Sequence, residues 1–485
     1  MRIWAWRMLL PKMEDGTMQR VKPIAPWRWR VSTSCRRRRR PITKSARRRS
    51  RKAPRARARN KNFCYVAVMS PTIPAVPTAD GERIEVLDVL RGFALYGVLL
   101  ANLVPWFSGC AFMSRAQLDQ QTDALDQVFL FLLRVLCDGK AMMLLTLLFG
   151  LGFSLQLQRA EASGRSIIAI YLRRLAVLAL IGVSHVLLLW WGDILWGYAV
   201  AGLGLILFRR VKGRKLLIWG LALALLPHLL STIPQVSKAL DLVAAKPVDF
   251  EAFKAQLLAA LSGHDRRALT VMQLKQAYYH VGRFWGPFFP ELLGRFLLGY
   301  WAGSIGLFRN TAERLPLFRK LAAVGLVAGL IGSSIAPVLR VLSRRHVVVA
   351  KGVALAVSVP SEIEVLLLTC GYAALVVLLM QRPVARRLLL FIAPVGQMAL
   401  TVYLMQSLIC TFLFYGWGLG LITHVRPARL FPIAGVIFLS QILFAHAWLA
   451  RFRFGPVEWL WRSLTYGRLQ PLRRRSIVPE LFLQT

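Results

Sequence analysis

Several signatures of common chemistry are missing from this sequence. The six cysteines (Cys35, Cys64, Cys110, Cys137, Cys370 and Cys410) form no C-x-x-C pair, and no histidine cluster stands beside them. Zinc and dithiol chemistry are therefore not indicated, and no metal centre is expected. Cysteines scattered in apolar runs suit buried free thiols. G-x-x-x-x-G-K-[ST] is absent, which argues against an ATP-driven pump. The absence of H-E-x-x-H and G-x-S-x-G weakens hydrolase readings. Acid is scarce as well: 22 Asp and Glu stand against 64 Lys and Arg, a net charge of +42 in 485 residues.

The distribution of that charge argues against a nucleic-acid partner for the main body. Residues 1–68 hold 22 Lys or Arg against only Glu14 and Asp15, and they have no apolar period from which a core could form. They also lack the charged, apolar, small-residue order of a secretory signal. A tail for anionic lipid or nucleic acid is one reading of this stretch. The other, which we favour, is an over-extended gene start with translation beginning at Met69. Residues 1–82 are accordingly set apart as a basic extension, 83–472 as a membrane domain and 473–485 as a short tail. The remaining positive charge lies mostly in short loops between apolar runs, the pattern of cytoplasmic loops.

What the chain has in abundance is long apolar runs: it is 56% hydrophobic with a mean hydropathy of +0.50. Runs near 20 residues are membrane spans. The expected fold is an all-α polytopic bundle of about ten spans, near 87–107, 140–158, 173–191, 194–208, 215–233, 286–307, 320–342, 362–381, 388–415 and 430–450. Connections at 159–172, 209–214, 308–319 and 382–387 are all basic, which places them and both termini in the cytoplasm. The loop at 343–361 fits this assignment least well. The stretch "LDQVFLFLLRVLCDG" is too short for an ordinary span, and it is expected to be a broken or re-entrant helix near 125–140. Residues 234–283 mix apolar and charged positions at helical spacing and should lie at the outer interface, as a cap over a cavity or as a plain connection.

Ionisable groups inside spans are costly and therefore informative. Asp88 and Arg91 are three apart on one helix face, and Arg91 and Asn102 are eleven apart, about three turns and roughly 16 Å along the same stripe. Gly92, Ala94, Gly97 and Ala101 supply small surfaces for close packing, so this helix should sit inside the bundle. Glu291 and Arg295 are neighbours at i,i+4 within their span and either line a cavity or fix helix packing. His185 lies near the outer end of its span, with Asp193 in the following turn and Trp190, Trp191 and Trp196 nearby. Asp193 either caps the next helix or assists His185, the side chain best suited to proton transfer near neutrality. Gln397, Thr401, Tyr403, Gln406 and Ser407 look like hydrogen-bonding glue between helices. Near the C-terminus, Glu458 and Arg462 are placed to pair on an interfacial helix bearing Trp459, Trp461 and Tyr466.

"LDVLRGFALYGVLLAN", "LLFGLGFSLQLQRA", "HVLLLWWGDILWGYA", "GQMALTVYLMQSLICTFLFYGWGLGL" and "FGPVEWLWRSLTYGR" closely resemble the YeiB-like family of bacterial inner-membrane proteins, domain-of-unknown-function family 418. The match runs in order from about residue 83 to 472 and implies a multi-pass protein of the bacterial inner membrane. "LDVLRGFA" is remotely similar to the first-helix motif of transmembrane acyltransferases, including acyltransferase-3 proteins and the heparan-glucosaminide acetyltransferase. Those enzymes pass an acyl group from cytoplasmic acyl-CoA to an acceptor across the membrane. The acyltransferase-3 pattern is Arg, ten residues, then His, whereas Arg91 is followed at that spacing by Asn102, which cannot accept a proton. The resemblance thus implies acyl-CoA as donor substrate, no bound cofactor, and an envelope or lipid acceptor. Arg91, with Asp88, would hold the donor, and His185, Asp193 and Asn102 would act at the reacting group. The competing reading is a small-molecule transporter or permease with a midplane site built from Lys140, Glu291 and Arg295. The lipid bilayer is the one partner implied in either case, and no oligomeric state is indicated.

Overall fold

The computed structural model describes residues 84–164, 166–231, 233, 249–344 and 361–474. The basic extension, the first part of the outer connection (234–248), most of the 343–361 loop and the end of the chain lie outside the described residues. Among the described residues the structure is helical, with one isolated bridge between Phe452 and Arg473. Five helical stretches are long and apolar enough to cross a bilayer: Glu85–Phe107, Ile168–Leu188, Ala312–Leu339, Glu362–Leu379 and Pro427–Arg451. Leu195–Leu207 and Ala399–Phe414 are apolar but shorter. Large side chains such as Leu180, Leu188, Leu207, Val327 and Ile331 face outward. This is a membrane protein.

Helix α1 (Glu85–Asn102), continued by a π-turn over Leu103–Phe107, is the bundle's inner helix. Within its apolar window 72% is buried, against 28–39% for the other four long stretches. Its small residues make this possible. A Cβ on Gly92 would stand 2.6 Å from the Ile392 carbonyl oxygen, and one on Gly396, in the facing segment, would collide with the Asp88 carbonyl oxygen. The two backbones therefore approach as closely as small-residue helix crossings allow.

After α2 (Arg115–Gln121), α3 (Ala124–Leu136) begins on a capping box between Asp123 and Asp126. It ends where expected: Gly139 has φ +76°, which side-chain-bearing residues rarely adopt, and α4 (Lys140–Ala162) starts beyond it. α5 (Ile168–Leu188), α6 (Leu195–Leu207) and α7 (Arg214–Ser231) follow. The described part of the outer connection forms α8 (Phe250–Ser262) and α9 (Arg266–Arg283). Phe253, Leu257 and Leu261 of α8 are buried in the main apolar core, so this segment is packed onto the bundle.

α10 (Phe289–Ser304) packs on α4 and α7, and α11 (Leu315–Arg344) packs on α12 (Ser361–Leu379). The ninth expected run departs from a single span. Instead, α13 (Pro383–Leu390), α14 (Ala393–Gln397) and α15 (Ala399–Phe414) follow one another with breaks. Pro394 lacks the N–H that a continuous helix would use, and Gly396 is drawn against α1. α16 (Pro427–Arg451) and α17 (Pro456–Tyr466) complete the described bundle.

Two polar expectations resolve as packing. Gln406 donates to the Leu95 carbonyl at 3.2 Å and to Gln441 at 3.3 Å, and Gln441 donates to the Val402 carbonyl, tying α1, α15 and α16 together. Glu458 does not serve the i,i+4 pair expected along α17. Its carboxylate accepts from the Leu400 and Thr401 N–H groups at 2.7 and 3.0 Å and from the Thr401 hydroxyl. It thereby satisfies orphan donors at the start of α15.

Candidate functional site

The turn between α5 and α6 brings His185 and Asp193 together. α5 ends sooner than expected, so His185 sits in its last turn, where its carbonyl accepts from the Leu189 and Trp190 N–H groups. The chain then doubles back, and Asp193 Oδ2 reaches His185 Nδ1 at 2.8 Å. Asp193 Oδ1 accepts from the Trp196 N–H at 3.0 Å, capping α6. Capping and pairing, weighed as alternatives from sequence, are both met by one carboxylate. The fit depends on Gly182, where a Cβ would stand 2.8 Å from Asp193 Oδ1. Both side chains are almost wholly buried, at 1% and 0% exposure.

With Nδ1 facing the carboxylate, Nε2 is the atom left for chemistry, and it has no hydrogen-bond partner among the described residues. Four other buried polar atoms, in this turn, α6 and α15, are in the same condition: Trp190 Nε1, Trp191 Nε1 and the Tyr198 and Tyr403 hydroxyls. The Tyr403 ring is 5.4 Å from His185 and the Trp190 ring 6.4 Å, centroid to centroid. Tyr403 also lies beside Asp193 and the Ile194 backbone without a well-aligned bond. Buried polar groups are normally paired, so this concentration of orphans marks a place built to receive polar atoms. The tryptophans, expected as a boundary belt, are instead interior: Trp190 and Trp191 are 2% and 5% exposed. Trp190 packs tilted on Phe107 and Trp191 edge-on against Trp106, beyond the end of α1.

Asn102, five residues before Phe107, is half-buried, and its side chain makes no hydrogen bond among the described residues. The structure thus brings His185 and Asp193 into contact and sets Asn102 at the end of the helix that packs on their turn. His280 of α9 joins this end of the bundle, its ring 6.1 Å from Trp191 and 6.4 Å from Trp196. Burial, then Arg283, lowers the His280 pKa, partly offset by Asp193. Nothing in its spacing singles out His280; only the fold of the outer connection brings it here.

Asp88 and Arg91 form the expected pair at 2.7 Å, with Asp88 buried and Arg91 partly exposed. Arg91 lies eleven residues, roughly 16 Å along α1, from Asn102, so the pair is at the opposite end from the His185 turn. Two further arginines gather with them. The Arg174 guanidinium stacks on Trp461 at 3.8 Å and lies within electrostatic range of Arg462 and Arg91. Arg174 has a signal legible in sequence: it precedes His185 by eleven residues, the spacing of Arg91 to Asn102. α1 and α5 therefore each carry an arginine at one end and a polar group three turns on.

The other expected residues fall elsewhere. Lys140 is buried, and its Nζ donates to the Arg134 carbonyl at 3.0 Å, closing the end of α3. Arg295 bonds Glu291 as expected, but its main partner is Glu362 of α12. Nε and one terminal nitrogen grip that carboxylate at 2.7 and 2.6 Å. Glu362 is 71 residues from Glu291 in sequence, so no local spacing announces it.

Comparison with known proteins places this architecture. A family described as "Protein of unknown function (DUF418)" matches residues 302–468. The protein YxaH of Bacillus subtilis (strain 168) is 33% identical over 418 residues, covering 83% of this chain and 99% of that relative. The chain belongs to the YeiB-like DUF418 family. YeiB of Escherichia coli (strain K12) is also 33% identical, over 404 residues, covering 80% of this chain and 98% of its own length. A 39.9 kDa protein in an amylase 3′ region of Bacillus acidopullulyticus is 28% identical over 398 residues, covering 82% of this chain and 97% of its own length. No solved structure matches the chain.

Proposed function

We propose that this DUF418 protein is a transmembrane acyltransferase that moves an acyl group from acyl-CoA to a hydroxyl or amine of an envelope molecule. The observation that carries the reading is the buried His185–Asp193 dyad with Nε2 unpartnered among orphaned donors. Supporting it is the order Arg, ten residues, His, which α1 lacks at Asn102 and α5 supplies as Arg174 and His185. In this reading ten spans cross the bacterial inner membrane with both termini inside. Arg91, Arg174 and Arg462 then face the cytoplasm, where guanidinium groups suit the phosphates of a CoA donor. The dyad lies toward the far side, and the thioester arm of the donor bridges the interval.

The step follows general-base acyl transfer. His185 Nε2 takes the proton of the acceptor O–H or N–H while that atom attacks the thioester carbonyl carbon. The new bond forms, the tetrahedral oxyanion is held by Asn102 and the indole or tyrosine donors, and the C–S bond breaks. CoA leaves as a thiolate and takes the proton back from His185. Asp193 holds the imidazole in the tautomer with Nε2 unprotonated and steadies the imidazolium that forms.

The test is thioester cleavage, read as released thiol, by the full chain in liposomes with acyl-CoA outside and an envelope extract enclosed. Activity should be lost in His185→Ala and Arg91→Ala. Full turnover in both variants would overturn the assignment. Solute accumulation in sealed vesicles without an acyl donor would replace it with transport.

A further inference from the structure

We infer that His228, Glu291 and Glu362 form a site for one divalent metal ion of the zinc type, on helices separate from the His185–Asp193 turn. The three residues come from α7, α10 and α12, and one ligand atom from each lies within 4.8 Å of the others. Charge is the first argument. Two buried carboxylates, at 9% and 3% exposure, face one guanidinium, Arg295, among the described residues, so with both ionised the cluster carries one uncompensated negative charge where the ends of three helices meet. Such a charge is costly unless a proton, or a divalent ion carrying hydroxide in its open position, brings the sum to zero.

Geometry favours the cation. His228 Nδ1 is 3.8 Å from Glu291 Oε2, too long for a hydrogen bond. Two ligands each about 2.0–2.2 Å from one zinc ion stand roughly 3.3–3.8 Å apart, so the gap fits a shared ion. Arg295 does not block it. The guanidinium bonds Glu291 Oε1 and both oxygens of Glu362, which leaves Glu291 Oε2 and a second lone pair on each Glu362 oxygen. Its bidentate grip is the outer hydrogen bond that commonly orients a metal-binding carboxylate. One imidazole and two carboxylates leave a fourth position open to water, the ligand count of a catalytic rather than a closed structural zinc site.

The test uses the full chain, purified in nanodiscs without a histidine tag, stripped with chelator and titrated with Co²⁺ alone. The expected result is a visible absorption band saturating at one ion per chain and displaced by Zn²⁺. His228→Ala should abolish the band, whereas His446→Ala, in α16, should leave it intact. Absence of a saturable band, or an unchanged band in His228→Ala, overturns the site. Should His228→Ala fail to fold, X-ray absorption of the zinc-loaded wild type decides: one nitrogen and two carboxylate oxygens support the site, and any shell without imidazole overturns it.

Discussion

His185 Nδ1 stands 2.8 Å from Asp193 Oδ2, inside a turn that leaves neither side chain exposed to solvent. A pair so enclosed fixes the imidazole tautomer, because the carboxylate accepts and therefore holds the proton on Nδ1. Asp193→Asn tests that relationship with little change of shape. The new amide oxygen can still accept from the Trp196 N–H, but the amide nitrogen donates toward Nδ1 and drives the proton onto Nε2. We expect thioester turnover to fall by roughly 10²–10⁴-fold, the usual contribution of a general base, with KM for acyl-CoA unchanged. A variant that keeps wild-type kcat would show that the dyad is structural.

Arg174 should act at the other end of the reaction path. Its guanidinium lies over the Trp461 ring, in range of Arg91 and Arg462, with no carboxylate bonded to it among the described residues. Losing one charge-assisted hydrogen bond of about 1.5–3 kcal/mol would raise KM for acyl-CoA about tenfold or more. Arg174→Ala should show that rise with kcat nearly intact, and Arg174→Lys should recover only part, because it lacks the planar stacking surface. A fall in kcat at constant KM would contradict a donor-binding role.

These residues also show where sequence was informative. Patterns confined to one helix were legible: the Asp88–Arg91 pair, the small face of α1 and the break at Gly139 all follow from helical geometry. Groups assembled across helices were not. Glu362 grips Arg295 from 67 residues away, and Glu458 caps α15 from 57. Periodicity reports which face a residue occupies and not what faces it. The ninth run failed for a related reason, since its length and overall hydropathy suit one span while Pro394 and the contact at Gly396 interrupt its backbone.

That contact is itself testable. A Cβ at Gly396 would collide with the Asp88 carbonyl oxygen, so Gly396→Ala must push α14 away from α1, at a cost of about 1–3 kcal/mol for overpacking. Gly152 of α4 has open space where its Cβ would go, and Gly152→Ala should be neutral or stabilising by up to about 1 kcal/mol. Thermal midpoints in one detergent compare the two directly. Equal midpoints would mean that α1 and α14 are not held at this distance.

His280 gives the docking of α9 a pH dependence whose sign can be worked out. Arg283 and Asp193 are the charged groups that act on it, Trp191 and Trp196 are the rings against it, and burial sets the direction, holding its pKa below the ordinary imidazole value. The docked state therefore binds fewer protons than an undocked one, so docking strengthens as pH rises. It is fully present above about pH 6.5, the free imidazole value, and weakens as pH falls toward the depressed one. Amide exchange across residues 266–283 should accelerate between about pH 7 and pH 5 beyond its intrinsic pH dependence. His280→Phe keeps a ring against the tryptophans and removes the titration, so its corrected exchange should be flat over the same interval. If wild type and His280→Phe respond alike, the imidazole does not govern this end of the bundle.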